Sequence, residues 1–296
     1  MIPPTLILVF VMNKKNYIAV LLTCHNRKDK TLTCLNYFHN VIKPDGFLFE
    51  IFLVDDGSTD GTADAVKTNF PNVKVIKGTG NLFWNQGMRL AWETALMYRN
   101  DYDYYLWLND DTMLDLTALI ELLECSEEAL KKDNQPAIIS GACRNNDEEN
   151  EFSYGGRTEE CPVVPNGVLQ KCKYINGNVV LVPNKIFQKL GNLSPDYTHG
   201  MGDYDYGLRA INAGFYCYTT KTFIAVCEVN EGIPRWCNPN VSLKKRWQQF
   251  KSPLGLNINE YIAFRKKFCR YKWISFTFKA FIKMLIPRIY SNLLKK

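Results

Sequence analysis

No G-x-x-x-x-G-K-[ST] phosphate loop, no C-x-x-C pair and no apolar run of membrane length occur in this 296-residue chain. The first absence excludes a P-loop enzyme. The second argues against a zinc site or a disulfide framework, because the ten cysteines are scattered. Cys24, Cys34, Cys125, Cys143 and Cys217 lie in or beside apolar runs, so reduced, mostly buried thiols and a reducing, cytosolic compartment are expected. The third absence leaves only the short apolar run at residues 6–11 near the start, far below the ~20 residues of a spanning helix. Residues 1–12 also lack a basic n-region and a small-residue cleavage site, so they read poorly as a signal peptide. Met12 is an alternative start. Internal repeats and low-complexity stretches are missing. Acidic residues are nearly missing from one end: residues 241–296 hold one acid, Glu260, against 14 Lys and Arg. The rest of the chain carries 22 basic and 29 acidic side chains. An acidic body with a basic tail implies a different partner for each.

What is present is globular. A content of 46% hydrophobic and 22% charged residues excludes disordered and collagen-like chains, and the length suits one large α/β domain with an appendage. Apolar, β-rich runs at 17–23, 50–56, 73–78, 104–111 and 137–142 alternate with helix patterns at 27–41, 62–69, 84–99 and 115–131. This alternation predicts a mostly parallel sheet flanked by helices. Residues 143–172 lose periodicity except for a short strand near 152–157. Residues 175–183 read as a strand, 184–190 and 203–213 as helices, and 215–229 as one or two strands. Ligands of such sheets bind beyond the carboxyl ends of the strands. Residues 23–27, 55–56 and 109–111 all fall at such ends, which points to a single site.

Four segments carry chemistry. In VDDGSTDGT (54–62), Ser58, Thr59 and Asp60 suffice to cap the next helix. That leaves Asp55 and Asp56 for a base N–H and sugar hydroxyls. In LNDDT (108–112), Asn109, Asp110 and Asp111 cluster hard oxygens suited to Mg²⁺ or Mn²⁺ and, through it, a diphosphate. A metal there would offset charge on a departing nucleoside diphosphate; helix capping by Thr112 or Asp115 is the plainer alternative. In HGMGDYDYGLRA (199–210), Asp203 and Asp205 sit at a helix start, where the dipole favours ionised carboxylates. An ionised Asp there can take a proton from a hydroxyl; the alternative is an N-cap and a surface pair with Arg209. In GNLFWNQGMRLAW (80–92), Phe83 and Trp84 either pack or wall a sugar ring, and Asn85 and Gly87 would let the loop approach a ligand.

Taken in order, TCHNR (23–27), VDDGSTDGT (54–62), GNLFWNQGM (80–88), LNDDT (108–112), INGNVVLVP (175–183) and GDYDYGLR (202–209) resemble family-2 glycosyltransferases of the GT-A fold, over about residues 17–230. The resemblance implies a Rossmann-like GT-A catalytic domain at 17–240, with a nucleotide-sugar half at 17–115 and an acceptor half at 116–240. An N-terminal extension (1–16) and a basic amphipathic helical tail (241–296) flank it. By the same resemblance, Thr23, Asn26 and Arg27 line the nucleotide pocket, with Gly80, Asn81, Trp84 and Gly87 on the donor side. Asp56 binds the base with Asp55 beside it. Asn109, Asp110 and Asp111 form a D-x-D-like motif in which Asp111 holds the divalent metal. Asp203 resembles the catalytic base and Asp205 its supporting acid.

The implied reaction is an inverting transfer from a dTDP-, UDP- or GDP-sugar to a glycan or lipid-linked glycan acceptor. The implied setting is bacterial surface-polysaccharide assembly, with rhamnosyl transfer one option. The sequence departs from the family pattern at Asn109, where the first Asp of D-x-D stands, and at Gly202, where many members have Glu. It also lacks the family's metal-binding His after the base; Cys227, Glu228 and Asn230 occupy that neighbourhood. His25 stands where an aromatic is frequent. A sugar-phosphate nucleotidyltransferase would need a glycine-rich basic loop after the first strand, and TCHNRKD has no glycine. A non-catalytic sugar-nucleotide-binding module is the other alternative.

The tail mixes its cations with Trp247, Phe250, Phe264, Phe268, Trp273, Phe276, Phe278 and Phe281. It carries no nucleic-acid motif, so no nucleic-acid partner is expected. Lys279, Lys283 and Pro287 break its apolar stretches. A basic, aromatic, amphipathic helix suits an anionic bilayer surface; packing on the catalytic domain is the alternative. The first option places the protein in the cytoplasm, at the inner face of the cytoplasmic membrane.

Overall fold

The structure, a computed structural model, describes residues 15–146, 151–229 and 232–288. Met1, Met12, the apolar run at 6–11 and Asn230 lie outside the described residues. Strand β1 (Asn16–Cys24) is apolar enough that its centre is wholly buried. Its period of two sends Ile18, Val20 and Leu22 to one face and Ala19 and Leu21 to the other. Then follow α1 (Lys28–Asn40), β2 (Phe47–Asp55), α2 (Thr62–Asn69), β3 (Lys74–Lys77), α3 (Phe83–Tyr98) and β4 (Tyr104–Leu108). β1 pairs in parallel with β2 and β4, and β2 with β3, as the alternating pattern predicts. Cys34, Leu35 and Phe38 of α1 cover one face, and Met88, Ala91 and Trp92 of α3 cover the other.

The second half holds β5 (Met113–Leu114), α4 (Ala118–Asp133), β6 (Ala137–Arg144), β7 (Phe152–Tyr154), β8 (Gln170–Cys172), β9 (Val179–Pro183), α5 (Asn184–Leu190), α6 (Gly202–Asn212) and β10 (Tyr216–Val226). The main path of the sheet runs β3-β2-β1-β4-β9-β6-β10-β5. β9 is antiparallel to both β4 and β6, so it enters the sheet from the end where β4 leaves it. Two boundaries differ from the sequence pattern for this reason. β4 stops at Leu108, and residues 175–178 are loop rather than strand. The two loops are joined by the Asn109 N–H, which donates to the Asn178 carbonyl at 2.9 Å.

Aromatic packing sets α6 on the sheet. The Tyr206 ring lies 5.2 Å from Trp107 and 5.6 Å from Trp92, centre to centre. Beyond residue 241 come α7 (Leu243–Lys251), α8 (Ile258–Phe268) and α9 (Trp273–Leu285). Phe250, Ile258, Ala280 and Met284 give these helices a small core of their own. Phe264 of α8 instead joins Leu208 of α6 and Tyr197 in the loop before it. No helix among the described residues is long and apolar enough to cross a membrane. The ten cysteines are unpaired and eight are buried.

Candidate active site

A cavity of about 720 Å³ opens where β1, β2 and β4 end. Thr23 and Arg27 reach it from β1, Asp56 from β2, and Asn109, Asp110 and Asp111 from β4. Gly177 and Asn178 enter ahead of β9, and His199 and Asp203 at the entry to α6. Residues from position 177 onward thus meet the three strand ends singled out by sequence.

The first acidic pair is largely structural. The Asp56 carboxylate accepts the N–H groups of Gly80, Leu82 and Phe83 at 2.7, 2.8 and 2.9 Å. Of about four lone-pair sites on a carboxylate, one is left for a ligand. Asp55 accepts the Ser58 N–H at 2.8 Å, closing the glycine turn, and does not line the cavity. Asn26 has φ +51° and binds the same turn, accepting the Thr59 N–H at 2.7 Å. It too stays off the cavity, as does Asn81. His25 donates from Nδ1 to the Asp56 carbonyl at 2.7 Å, which makes it a tie between β1 and β2. Gly87 serves packing rather than a ligand: a Cβ there would meet Thr23 Oγ1 at 2.2 Å. Sequence reasoning assigned Asp55, Asn26, Asn81 and Gly87 to the ligand; none of the four lines the cavity, Asp55 and Asn26 bind the glycine turn, and Gly87 packs against Thr23.

The second acidic cluster carries the charge of the site. One Arg27 nitrogen, Nη1, donates to Asp110 at 3.1 Å and to Asp111 at 2.7 Å. Thr31 also donates to Asp110, at 3.3 Å. Burial still pushes Asp110 up to about 6, with Arg27 opposing the shift and Asp111 adding to it. Asn109 is turned inward. Its Oδ1 accepts the Trp84 indole N–H at 2.7 Å, and because that N–H only donates, the amide orientation is fixed with NH₂ away from Trp84. Trp84, read as either packing or a wall against a sugar, lines the cavity with its ring beside Gly177, where a Cβ would be 2.3 Å from it.

These contacts decide how a divalent ion fits. The Asn109 amide oxygen is already engaged by Trp84 and carries no formal charge, which makes it a weak ligand. The Cys227 thiol, 3.9 Å from Asp111, is pushed up to about 12 by burial and stays neutral. No three His, Cys, Asp or Glu side chains converge as a metal site among the described residues. Asp111 would therefore be a single protein ligand for such an ion, which would need oxygens from a diphosphate to complete its shell. Titration with Mn²⁺ alone is expected to give no binding heat at micromolar protein, and Mn²⁺ with a nucleoside diphosphate a clear one. Tight Mn²⁺ binding without nucleotide would contradict this.

The third segment holds a carboxylate suited to proton transfer. Asp203, in the first turn of α6, accepts the Gly177 N–H at 3.0 Å and the Tyr204 N–H at 2.8 Å. Burial raises it to about 6 in spite of these bonds. Its neighbour Gly202 is required by packing, because a Cβ would sit 1.8 Å from Asn85 Oδ1. Asn85 in turn donates to the Ser194 and Tyr197 carbonyls at 2.9 and 2.6 Å, clamping the loop before α6 onto the start of α3. Gly202→Ala is expected to cost about 1–3 kcal/mol by overpacking, and Asn85→Ala with it should cost less than the two apart. Thermal unfolding of the single and double variants measures the coupling; strict additivity would refute the contact. His199 accepts the Trp84 N–H on Nδ1 at 3.4 Å, so its proton sits on Nε2. Burial and then the charge of Arg27 lower its pKa, which keeps it neutral.

Asp205, expected as a supporting acid, does not line the cavity. It is wholly buried and accepts Arg209 Nε and Lys267 Nζ at 2.6 Å each and the Tyr197 hydroxyl at 3.2 Å. Lys267 belongs to α8, and Glu260 of the same helix accepts the Thr198 hydroxyl at 2.5 Å. Leu254, in the turn between α7 and α8, reaches the cavity itself. Sequence reasoning missed Gly177, Asn178 and Leu254. Only the family-like INGN run hinted at the first two.

The architecture is that of a GT-A glycosyltransferase. A mannosyltransferase from Pyrobaculum calidifontis, in complex with GDP-Man and Mn²⁺, matches with a TM-score of 0.53 at 16% identity, over 86% of this chain and 65% of that one. S. aureus TarS matches with a TM-score of 0.54 at 10% identity, over 91% of this chain and 43% of that one. Its 1–349 portion with UDP-GlcNAc gives 0.53 at 11% identity, over 83% and 66%. This chain spans less than two thirds of the length of each, and the likeness is one of fold. No curated protein sequence matches. The sequence profile of glycosyl transferase family 2 matches residues 19–188, more than half of the chain, and the chain belongs to that family. The match ends within α5, so Asp203 and Asp205 lie beyond it.

Proposed function

We propose that the protein is an inverting glycosyltransferase that moves a sugar from a dTDP-, UDP- or GDP-sugar to a hydroxyl of a glycan or lipid-linked glycan, in the assembly of a cell-surface polysaccharide. Family membership supports glycosyl transfer. The observation that carries the finer reading is Asp203: a carboxylate raised to about 6 by burial, lining the same cavity as Arg27 and Asp111. A base with a pKa near working pH combines the ionised form with useful basicity. Two backbone N–H groups fix its direction, which supplies orientation before any substrate arrives.

In this reading the acceptor hydroxyl gives its proton to Asp203 as its oxygen bonds to the anomeric carbon. The bond to the diphosphate oxygen breaks on the opposite face and its electron pair leaves with the nucleoside diphosphate, so configuration inverts. Arg27 offers a cation beside the leaving group. A divalent ion, Mg²⁺ or Mn²⁺, would be held by Asp111 together with diphosphate oxygens and would neutralise charge there. Asn109 offers N–H groups and His199 a neutral Nε2–H to sugar or phosphate oxygens. The reaction takes place in the cytoplasm at the inner face of the cytoplasmic membrane, a placement supported by the basic helical extension.

Calorimetry with UDP, dTDP and GDP, each with and without Mn²⁺, tests the donor side. One nucleoside diphosphate is expected to bind, at least tenfold more tightly with metal. Silence from all of them under both conditions would remove the donor from the account.

A further inference from the structure

Helix α9 has two apolar faces, and the fold uses only one. Ala280 and Met284 are buried against Phe250 and Ile258, with Phe281 and Trp236 packed around them. On the other side Ile274, Phe278 and Leu285 are 60%, 65% and 49% exposed. At about 100° per residue these three fall within about 40° of one another, a continuous stripe along the helix. Tyr271, 76% exposed, extends it at the N-terminal end. Lys272, Lys279 and Lys283 lie within a similar arc about 140° further round the helix. The helix itself, Trp273–Leu285, contains no acid.

An exposed stripe of large apolar side chains on a helix whose polar side carries lysines has a definite complement. Apolar residues enter the boundary between headgroups and acyl chains, and the lysines meet negative headgroups. Charge speaks for this occupant over a second copy of the chain. Residues 241–296 carry 14 basic side chains and one acid, so two such extensions face to face would repel. The helix is too short and too interrupted to span, which leaves lying in the interface.

We propose that the Ile274–Phe278–Leu285 face of α9 docks on an anionic lipid bilayer, with Lys272 and Lys279 against its headgroups. The inference deepens the membrane placement in the reading above and leaves its chemistry aside, so vesicle binding and turnover can fail separately. The same extension supplies Leu254 to the cavity wall and Lys267 to Asp205. Docking would therefore bring to a lipid surface an extension that also touches the cavity, and a lipid-linked acceptor would arrive at the same surface.

Flotation of the full chain with vesicles tests it. Vesicles of phosphatidylglycerol and phosphatidylcholine at low salt are expected to carry the protein up, and pure phosphatidylcholine vesicles at least tenfold less of it. Raising salt to about 1 M shortens the screening length to about 3 Å and should release most of the protein. Ile274→Asp with Phe278→Asp should lower binding at least tenfold, and Lys272→Glu with Lys279→Glu should also lower it. Because all four side chains are exposed, both variants should keep the wild-type melting temperature and nucleoside diphosphate binding. Failure of the full chain to float with anionic vesicles at low salt overturns the proposal, as does undiminished binding by the Asp variant. A lipid-free dimer that the Asp variant dissociates, without vesicle binding, assigns the face to a second copy instead and equally overturns it.

Discussion

Asp203→Asn is expected to lower turnover by roughly 10²–10⁴-fold, the usual contribution of a positioned general base, while nucleoside diphosphate affinity stays unchanged. The variant removes the proton acceptor and leaves Arg27 and Asp111 in place. The pH profile gives a second handle. Burial raises Asp203 to about 6, so the carboxylate is ionised above that pH and protonated below it. Only the ionised form accepts a proton, so kcat/KM of the wild type should fall as pH drops through about 6. The Asn variant should lose that acid limb. Asp110 is also raised to about 6, but Arg27 and Thr31 occupy its oxygens. Asp110→Asn should therefore keep the limb, whatever happens to the plateau. Steady-state assays between pH 5 and 8 separate the two; an unchanged limb in the Asp203 variant would remove it as the base.

The second large effect is on the anchor beneath that base. Asp205→Ala is expected to cost about 3 kcal/mol, because removing one partner of a buried ion cluster leaves cations uncompensated. For a chain of this size that corresponds to a melting shift of roughly 6–12 °C. Lys267→Met should cost less than about 1 kcal/mol, since its side chain stays 38% exposed and Arg209 still serves Asp205. Its effect should appear in function. Lys267 ties α8 to the helix whose first turn carries Asp203, so loosening it should lower kcat severalfold and shift the acid limb, with the donor KM unchanged. Lys267→Arg should restore much of the loss. A Met variant with wild-type kcat and pH profile would reduce Lys267 to a surface pair.

The contrast between Asp203 and Asp205 illustrates what was legible in the sequence. Both sit in GDYDYGLR and both looked functional, yet one faces the cavity and the other faces α8. A helix separates residues two apart by about 200°, so they could not share a face; which face met the ligand depended on packing by Tyr206, Trp92 and Trp107. The alternation of strands and helices was legible because each apolar period is a local property of the chain. The strand-end clusters followed from it, and Arg27, Asp110 and Asp111 do converge. The direction of β9 was not legible, since a short buried run such as VVLVP carries no sign of its orientation. Nor were the pairings of Trp84 with Asn109, of Gly202 with Asn85 and of Asp205 with Lys267. Each joins residues far apart in sequence, and none leaves a periodic trace. Gly202 and Asn109, which depart from the family pattern, turn out to have packing partners of their own.

The central claim is sugar transfer from a nucleotide donor, and release of nucleoside diphosphate tests it most directly. Wild type and Asp203→Asn would be mixed with UDP-, dTDP- and GDP-sugars, Mg²⁺ or Mn²⁺, and lipid-linked or soluble glycan acceptors. The account predicts acceptor-dependent release from one donor by the wild type, nearly abolished in the variant. Equal release by both proteins, or pyrophosphate formed from a nucleoside triphosphate and a sugar phosphate instead, would contradict it.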